Sequence, residues 1–411
     1  MGKAFNLSDP GLLFRDEVLA DPRPLYDQLR REAPVWQIPG QDSYLVSDPA
    51  LVREVVGRPS EFSSNLVSLL HQGDDGCPVA FDMAPLGDPI HVLAVADPPA
   101  HAAQRRLLQP HLSPDAVKAL ETPIRLFADG RLDPLLEAGC GEVVAGLTNP
   151  LPAQVVCLLI GFPDEDADRL VRLVWDIGLL LDGVTDLEGM GLASTAAFEL
   201  IEYVQAHLDS SFHRPSSTSE GLLGVLVRAI DEGLISSANA LGILMQLVAA
   251  GTETTSSLMS TTIELLARNP RLQDDLRREP ERIPHALEDV LREDGPFQFH
   301  YRFTSRDTDL GGAFIPASSR VLLMWAAANR PDHPRSARTG STAECRAPHF
   351  AFGRGLHFCI GAPLARLEAR VVIEQLLTRT SEFALDPGAE PLRRPSIFLR
   401  RHVSLRICLV S

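Results

Sequence analysis

Apolar residues recur at three- and four-residue spacings along most of the chain, the period of helices that bury one face. The pattern predicts helices over residues 22–33, 49–57, 98–109, 114–137, 142–160, 165–180, 193–212 and 221–230. A longer one follows. Ser236 or Ser237 is placed to cap a pattern that runs to about Arg268. At about 1.5 Å per residue that helix spans roughly 50 Å, the width of the molecule. Another helix follows Cys359, over residues 362–377.

Strand-like alternation is confined to short runs, at 35–38 and 44–47, then 297–304 and 320–324, and finally in the tail, 396–410. Residues 65–97, rich in Gly, Pro and Asp, read as a long loop of the kind that usually carries function. Residues 329–349 read as irregular. No linker, repeat or low-complexity tract divides the sequence. The expected fold is therefore mainly α with a minor β part, one domain spanning residues 1–411, with its N-terminal β-rich part at approximately 35–60.

Composition narrows the function by exclusion. Of 411 residues, 45% are hydrophobic and 22% charged, which describes a folded chain with a large core. The charge of 38 − 54 = −16 argues against nucleic acid as a partner. Six cysteines without a CxxC pair suggest a reducing compartment. No run reaches the ~18 apolar residues of a membrane span, and the N-terminus has no apolar signal region. A cytoplasmic, soluble protein without a membrane anchor is expected.

The most informative stretch runs from Phe352 to Gly361, a Gly-rich loop that sets Cys359 just before a helix. A helix N-terminus favours a thiolate through its dipole and free N–H groups. Taken alone, such a cysteine is more often a buried structural residue. A zinc site of Cys345, His349, His357 and Cys359 has irregular spacing for a structural metal. A dinucleotide loop fails because Phe358 occupies the last glycine position.

Two further constellations stand out. Ala249-Ala250-Gly251-Thr252-Glu253-Thr254-Thr255 puts glycine, threonines and a carboxylate in the middle of the long helix, where they are locally unfavourable. An acid beside a hydroxyl in an apolar groove has the makings of a proton relay. His101 and Arg105, four apart, share a helix face and suit one anion, although a solvated face is the commoner meaning of such a pair.

The cysteine segment resembles the ligand signature of the cytochrome P450 family, F-x-x-G-x-[RH]-x-C-x-G, at Phe352, Gly355, His357, Cys359 and Gly361. The helix motif resembles that family's [AG]-G-x-[DE]-T, and His101-x-x-x-Arg105 its H-x-x-x-R. The resemblance implies a triangular prism with the long helix over a haem b, and Cys359 as the axial thiolate of its iron. It implies that Thr254 donates a hydrogen bond to iron-bound oxygen and that Glu253 relays protons. His101, Arg105, Arg302 and His357 would bind the propionates, and Ala250 and Phe352 would also contact the haem.

Two departures accompany the match. Asp289 stands in the glutamate position of the family's E-x-x-R, paired with Arg292, while Glu288 is one residue off and would point elsewhere. The loop of residues 329–349 is short, and its arginine is Arg335, Arg338 or Arg346. The expectation is a buried Asp289–Arg292 network beneath the haem. The implied reaction inserts one atom of O2 into a small apolar substrate, with electrons from a separate ferredoxin and ferredoxin reductase. That partner would dock on a face made basic by Arg105, Arg106, Arg354, Arg366 and Arg370. The substrate pocket is expected between residues 65–96, 244–250, 297–299 and 396–399. Alternatives are a peroxide-driven peroxygenase, a non-catalytic haem or ligand carrier and, more remotely, an all-α zinc protein.

Overall fold

The structure, a computed structural model, describes residues 4–83, 90–212, 221–330 and 348–409. Helix Ser237–Ala267 is its axis. Ser236 caps it through a reciprocal box with Asn239, whose backbone N–H donates to the Ser236 hydroxyl at 3.0 Å. The N-terminal half (Ala240, Ile243, Leu244, Val248) lies in one apolar cluster with helices Ala167–Ile177, Leu187–Phe212 and Gly221–Asp231. The C-terminal half (Leu258, Met259, Ile263, Leu266) lies in another, with Glu121–Ala138, Ile283–Asp294 and Ala362–Arg379. Gly251 marks a close crossing. A Cβ there would come within 2.6 Å of Val156 on helix Pro150–Ile160.

The β part is a five-stranded sheet in the order Val35–Gln37, Ser43–Val46, Arg320–Leu323, His300–Thr304, Phe62–Ser63. Arg320–Leu323 runs parallel to Ser43–Val46, and the other pairings are antiparallel. A three-stranded sheet joins Phe383–Leu385, Arg406–Leu409 and Cys140–Glu142.

Three expectations need correction. Residues 65–97 are not all loop: Ser68–Gln72 and Pro78–Asp82 pair as a hairpin, because Leu69 and Leu70 of a strand buried from Ser68 to His71 lie against the core. The helix expected over 142–160 starts at Pro150, after strand Cys140–Glu142 and a π-turn at Val144–Thr148. Prolines at 150 and 152 suit a first turn, where no N–H is needed. Finally, the six cysteines are not all thiols. Cys408 lies opposite Cys140 in the ladder, and the two form a disulfide across 268 residues of sequence.

Candidate functional site

The loop before helix Ala362–Arg379 is folded by its own backbone. Gly353 N donates to Phe350 O at 2.7 Å and Cys359 N to Phe352 O at 2.9 Å. Gly355 has φ +72, and a Cβ there would meet Val56 at 2.4 Å, so both the left-handed turn and the close approach require glycine. The Cys359 thiol is desolvated, which pushes its pKa up, while the N–H groups of Gly361 and Ala362 and the charges of Arg105 and Arg366 pull the other way. Yet the Cys359 side chain is exposed. Such a sulfur is shielded from bulk water by the surrounding chain yet open to a bound group.

The central helix has a matching opening. Ala250 is exposed and Thr254 half-buried, one turn apart, on a helix otherwise buried from Thr255 to Ile263. The Thr254 hydroxyl donates to Ala250 O at 2.8 Å, and the Thr252 hydroxyl to Val248 O at 2.8 Å. The Thr254 proton is thus committed to the helix one turn back, where the i−4 carbonyl is within easy reach. Its oxygen remains free to accept. Glu253 beside it is buried at 7% exposure, and desolvation raises its carboxyl to about 7. Arg401 opposes that shift at 3.4 Å.

A group of basic side chains gathers near the cysteine loop. The His101 and His357 rings lie 4.2 Å apart, and His357 Nε2 is 3.0 Å from the Ser64 hydroxyl. Arg302, 6% exposed, donates to Tyr301 O at 2.7 Å. Desolvation, reinforced by neighbouring positive groups that include Arg302, drives His357 and His300 down to about 3. Desolvation also lowers Arg302 to about 10, against the pull of Asp97. The Asp97 carboxylate accepts from Ser64 N at 2.7 Å and from the Ser63 hydroxyl. The Arg302 charge and the N–H groups of largely neutral imidazoles, with so little acid nearby, suit a bound anion.

Sequence reading missed His300. Its signal was present: His300 and Arg302 are two apart on strand His300–Thr304 and so share a face. Trp325 Nε1 donates to His300 Nδ1 at 2.7 Å, which places the ring proton on Nε2.

Below the loop the expected acid is displaced by one residue. Glu288, not Asp289, reaches helix Ala362–Arg379 and His349, in a half-buried site. Its carboxylate binds Arg366 at 2.6 and 3.0 Å and His349 at 2.8 Å. Desolvation notwithstanding, those bonds hold Glu288 down to about 2. Arg366 also lies over the Phe352 ring at 4.3 Å. Asp289 pairs with Arg292 at 2.6 Å but its side chain is 46% exposed. One residue is about 100° of helix, enough to turn Glu288 toward helix Ala362–Arg379 and Asp289 toward solvent. The candidate loop arginines Arg335, Arg338 and Arg346 lie outside the described residues, as does Cys345.

The expected basic face is also smaller. Arg366 is engaged by Glu288, and Arg370 by Glu121 and Glu374, both at 2.8 Å. Arg106 and Arg354 are exposed, with no ion pair among the described residues. Two of the expected pocket walls, 297–299 and 396–399, meet. Phe297 bridges Leu399, Gln298 N donates to Phe398 O at 2.9 Å, and the rings of Phe297 and Phe299 pack edge-on against Phe398.

A desolvated yet exposed cysteine, an accessible helix face and a cluster of basic side chains fit a haem with its two propionates. Together they define a haem-thiolate protein. Comparison with known proteins agrees. The Cytochrome P450 family model matches residues 193–409. Cytochrome P450 144 of Mycobacterium tuberculosis is 37% identical, over 98% of this chain and 92% of that one. Cytochrome P450 monooxygenase PikC of Streptomyces venezuelae is 33% identical, over 92% and 89%. The crystal structure of CalO2 superposes with a TM-score of 0.84 at 27% identity, covering 98% of each chain.

The chain belongs to the cytochrome P450 family. It is a haem b-dependent monooxygenase of the haem-thiolate type. Among the described residues no helix is long and apolar enough to cross a membrane.

Proposed function

We propose that Cys359 would supply the thiolate that holds the haem iron, and that Glu253 and Thr254 would manage protons for its chemistry with O2. The observation that carries this is the desolvated but accessible Cys359 sulfur, with the N–H groups of Gly361 and Ala362 set to support a thiolate. His101, Arg105, His300, Arg302 and His357 hold the propionates. Ala250 and Phe352 contact the macrocycle. Bound haem supplies the redox centre at which O2 is split, and a thiolate ligand favours that cleavage.

The residues then divide the work. Thr254 is anchored by donation to Ala250 O and keeps its oxygen available as an acceptor. Glu253, held near neutrality by burial, both takes and gives a proton at pH 7. The hydrophobic walls at Phe297, Phe299 and Phe398 exclude water and select a small apolar substrate.

Electrons come from a separate ferredoxin and its reductase in the cytoplasm, docking near the exposed Arg106 and Arg354. The acid–hydroxyl pair Glu253–Thr254 favours the O2 route over a peroxide-driven one, which needs no such relay. We read residues 1–411 as one domain, since Ile360, beside the cysteine, packs against both large apolar clusters. The test is the absorption spectrum of reduced, CO-bound protein. The wild type should give the strongly red-shifted Soret band of a thiolate ligand, and Cys359→Ser should lose it. A mutant that kept the band would refute the assignment.

A further inference from the structure

Glu253 is not alone in its buried pocket. Arg401, 2% exposed, approaches it from the C-terminal segment with Nε 3.4 Å from Oε1. Neither of those atoms has a hydrogen-bond partner among the described residues. The other end of the guanidinium is firmly tied, its Nη2 donating to Asp182 Oδ2 at 3.0 Å. Asp182 is 1% exposed and also receives Arg394 at 3.0 Å. Both guanidiniums lie over the Trp175 ring, Arg401 at 5.1 Å and Arg394 at 5.9 Å. Arg401 thus has one fixed partner and one loose one.

Space is reserved for this arrangement. A Cβ on Gly178 would lie 2.9 Å from Glu253 Oε1 and 3.0 Å from Arg401 Nη2. Segment 178–183 is itself clamped from outside. Leu180 O accepts from His71 of the hairpin at 2.7 Å, Gly183 O from Gln72 N at 2.7 Å, and Asp182 O from Ile397 N at 3.0 Å. The same six residues therefore touch the hairpin expected to wall the substrate pocket, the C-terminal segment and, through Asp182 and Arg401, the acid beside Thr254.

We propose that Arg401, oriented by Asp182, is a positioning residue for Glu253, and that segment 178–183 couples the hairpin side of the pocket to the protonation state of that acid. The proposal rests on the reading of Glu253 as a proton carrier. Its logic is electrostatic. In a desolvated site, Arg401 stabilises the Glu253 carboxylate and Asp182 opposes it, with Arg394 a weaker helper to Arg401. A geometric change at 178–183 moves Asp182 and Arg401 together and so retunes the acid without touching it. Because the contact to Glu253 is an ion pair without a hydrogen bond, the carboxyl is biased yet free to swing.

The test is infrared spectroscopy of the holoenzyme across pH, following the protonated-carboxyl band that Glu253→Gln removes. In the wild type that band should be half lost near pH 7. Arg401→Gln should move the midpoint up by about 1 pH unit or more, Asp182→Asn should move it down, and Arg401→Lys should stay near wild type. Opposite shifts cannot come from a general loosening of the fold. Midpoints unchanged in both Arg401→Gln and Asp182→Asn, or moved in the same direction, would overturn the proposal. The reading of Glu253 as carrier is tested separately by coupling of NAD(P)H use to product in Glu253→Gln. Normal coupling there would sink that reading, whatever the infrared midpoints show.

Discussion

Glu288 grips Arg366 with both carboxylate oxygens while Arg366 lies flat over Phe352, one residue type bracing the next up to the cysteine loop. His349 closes the same carboxylate from the side. This is the brace beneath the proposed ligand, and it does not involve Asp289.

The two neighbouring acids should therefore separate in a mutant test. Glu288→Ala strands Arg366 beside a half-buried gap and should cost about 1–3 kcal/mol, with reduced haem loading. Asp289→Ala, at a partly exposed i,i+3 pair within one helix, should cost less than about 1 kcal/mol. Denaturant unfolding of both variants decides, and equal losses would put Asp289 back in the network. The brace should also be acid-sensitive. The Glu288 carboxyl sits at about 2 in the folded chain, below its ordinary 4.5, so its contribution is complete above about pH 5 and fades as pH falls toward 2. The stability gap between wild type and Glu288→Gln should close over that acid range.

Gly355→Ala should destabilise the cysteine loop in two ways. The left-handed φ costs an L residue roughly 1–2 kcal/mol, and the new methyl runs into Val56. Adding Val56→Ala should relieve the clash and leave the backbone cost, so the double variant should recover only part of the melting temperature. Complete recovery would mean that the turn itself is unstrained.

Thr254→Ala should leave folding and haem content intact, because the lost hydroxyl bonds only to its own helix at Ala250 O. Reducing equivalents should be diverted to hydrogen peroxide, and Thr254→Ser should restore much of the coupling. The ratio of product to NAD(P)H consumed measures this, and a wild-type ratio in Thr254→Ala would remove Thr254 from the site.

Arg302→Leu removes a 6%-exposed cation whose charge depresses His357 and His300. It should weaken haem retention, seen as faster haem loss to an acceptor protein. In the haem-free protein it should also raise the pKa of both imidazoles by NMR, since a repelling charge has gone. Retention and titration both unchanged would show that Arg302 faces away from the propionates.

Thiol titration of the denatured, unreduced protein should find two fewer thiols than the reduced protein, from Cys140 and Cys408. A count of all six would mean that the ladder brings the two together without joining them.

The local chemistry was legible in the sequence because it is local. The cysteine loop needs glycines at particular φ values, and the long helix needs a cap at Ser236 and apolar stripes on either side of its polar centre; both are written in consecutive residues. The basic cluster proposed to hold the propionates was partly legible too, since His101 and Arg105 share a helix face. His300 was readable in principle from its alternation with Arg302. Long-range pairing was not. Whether Glu288 or Asp289 turns inward depends on the position of Arg366, 78 residues away, and a single residue of rotation decides it. The hairpin of Ser68–Gln72 and Pro78–Asp82 forms because segment 178–183 and the core are there to receive it. Arg401 meets Asp182 across 219 residues and Cys408 meets Cys140 across 268, distances over which periodicity carries no information. Sequence alone determined which residues have the right chemistry. Only the tertiary structure decided which of them lose their water and meet, because burial and Coulomb coupling depend on what the rest of the chain packs around each group.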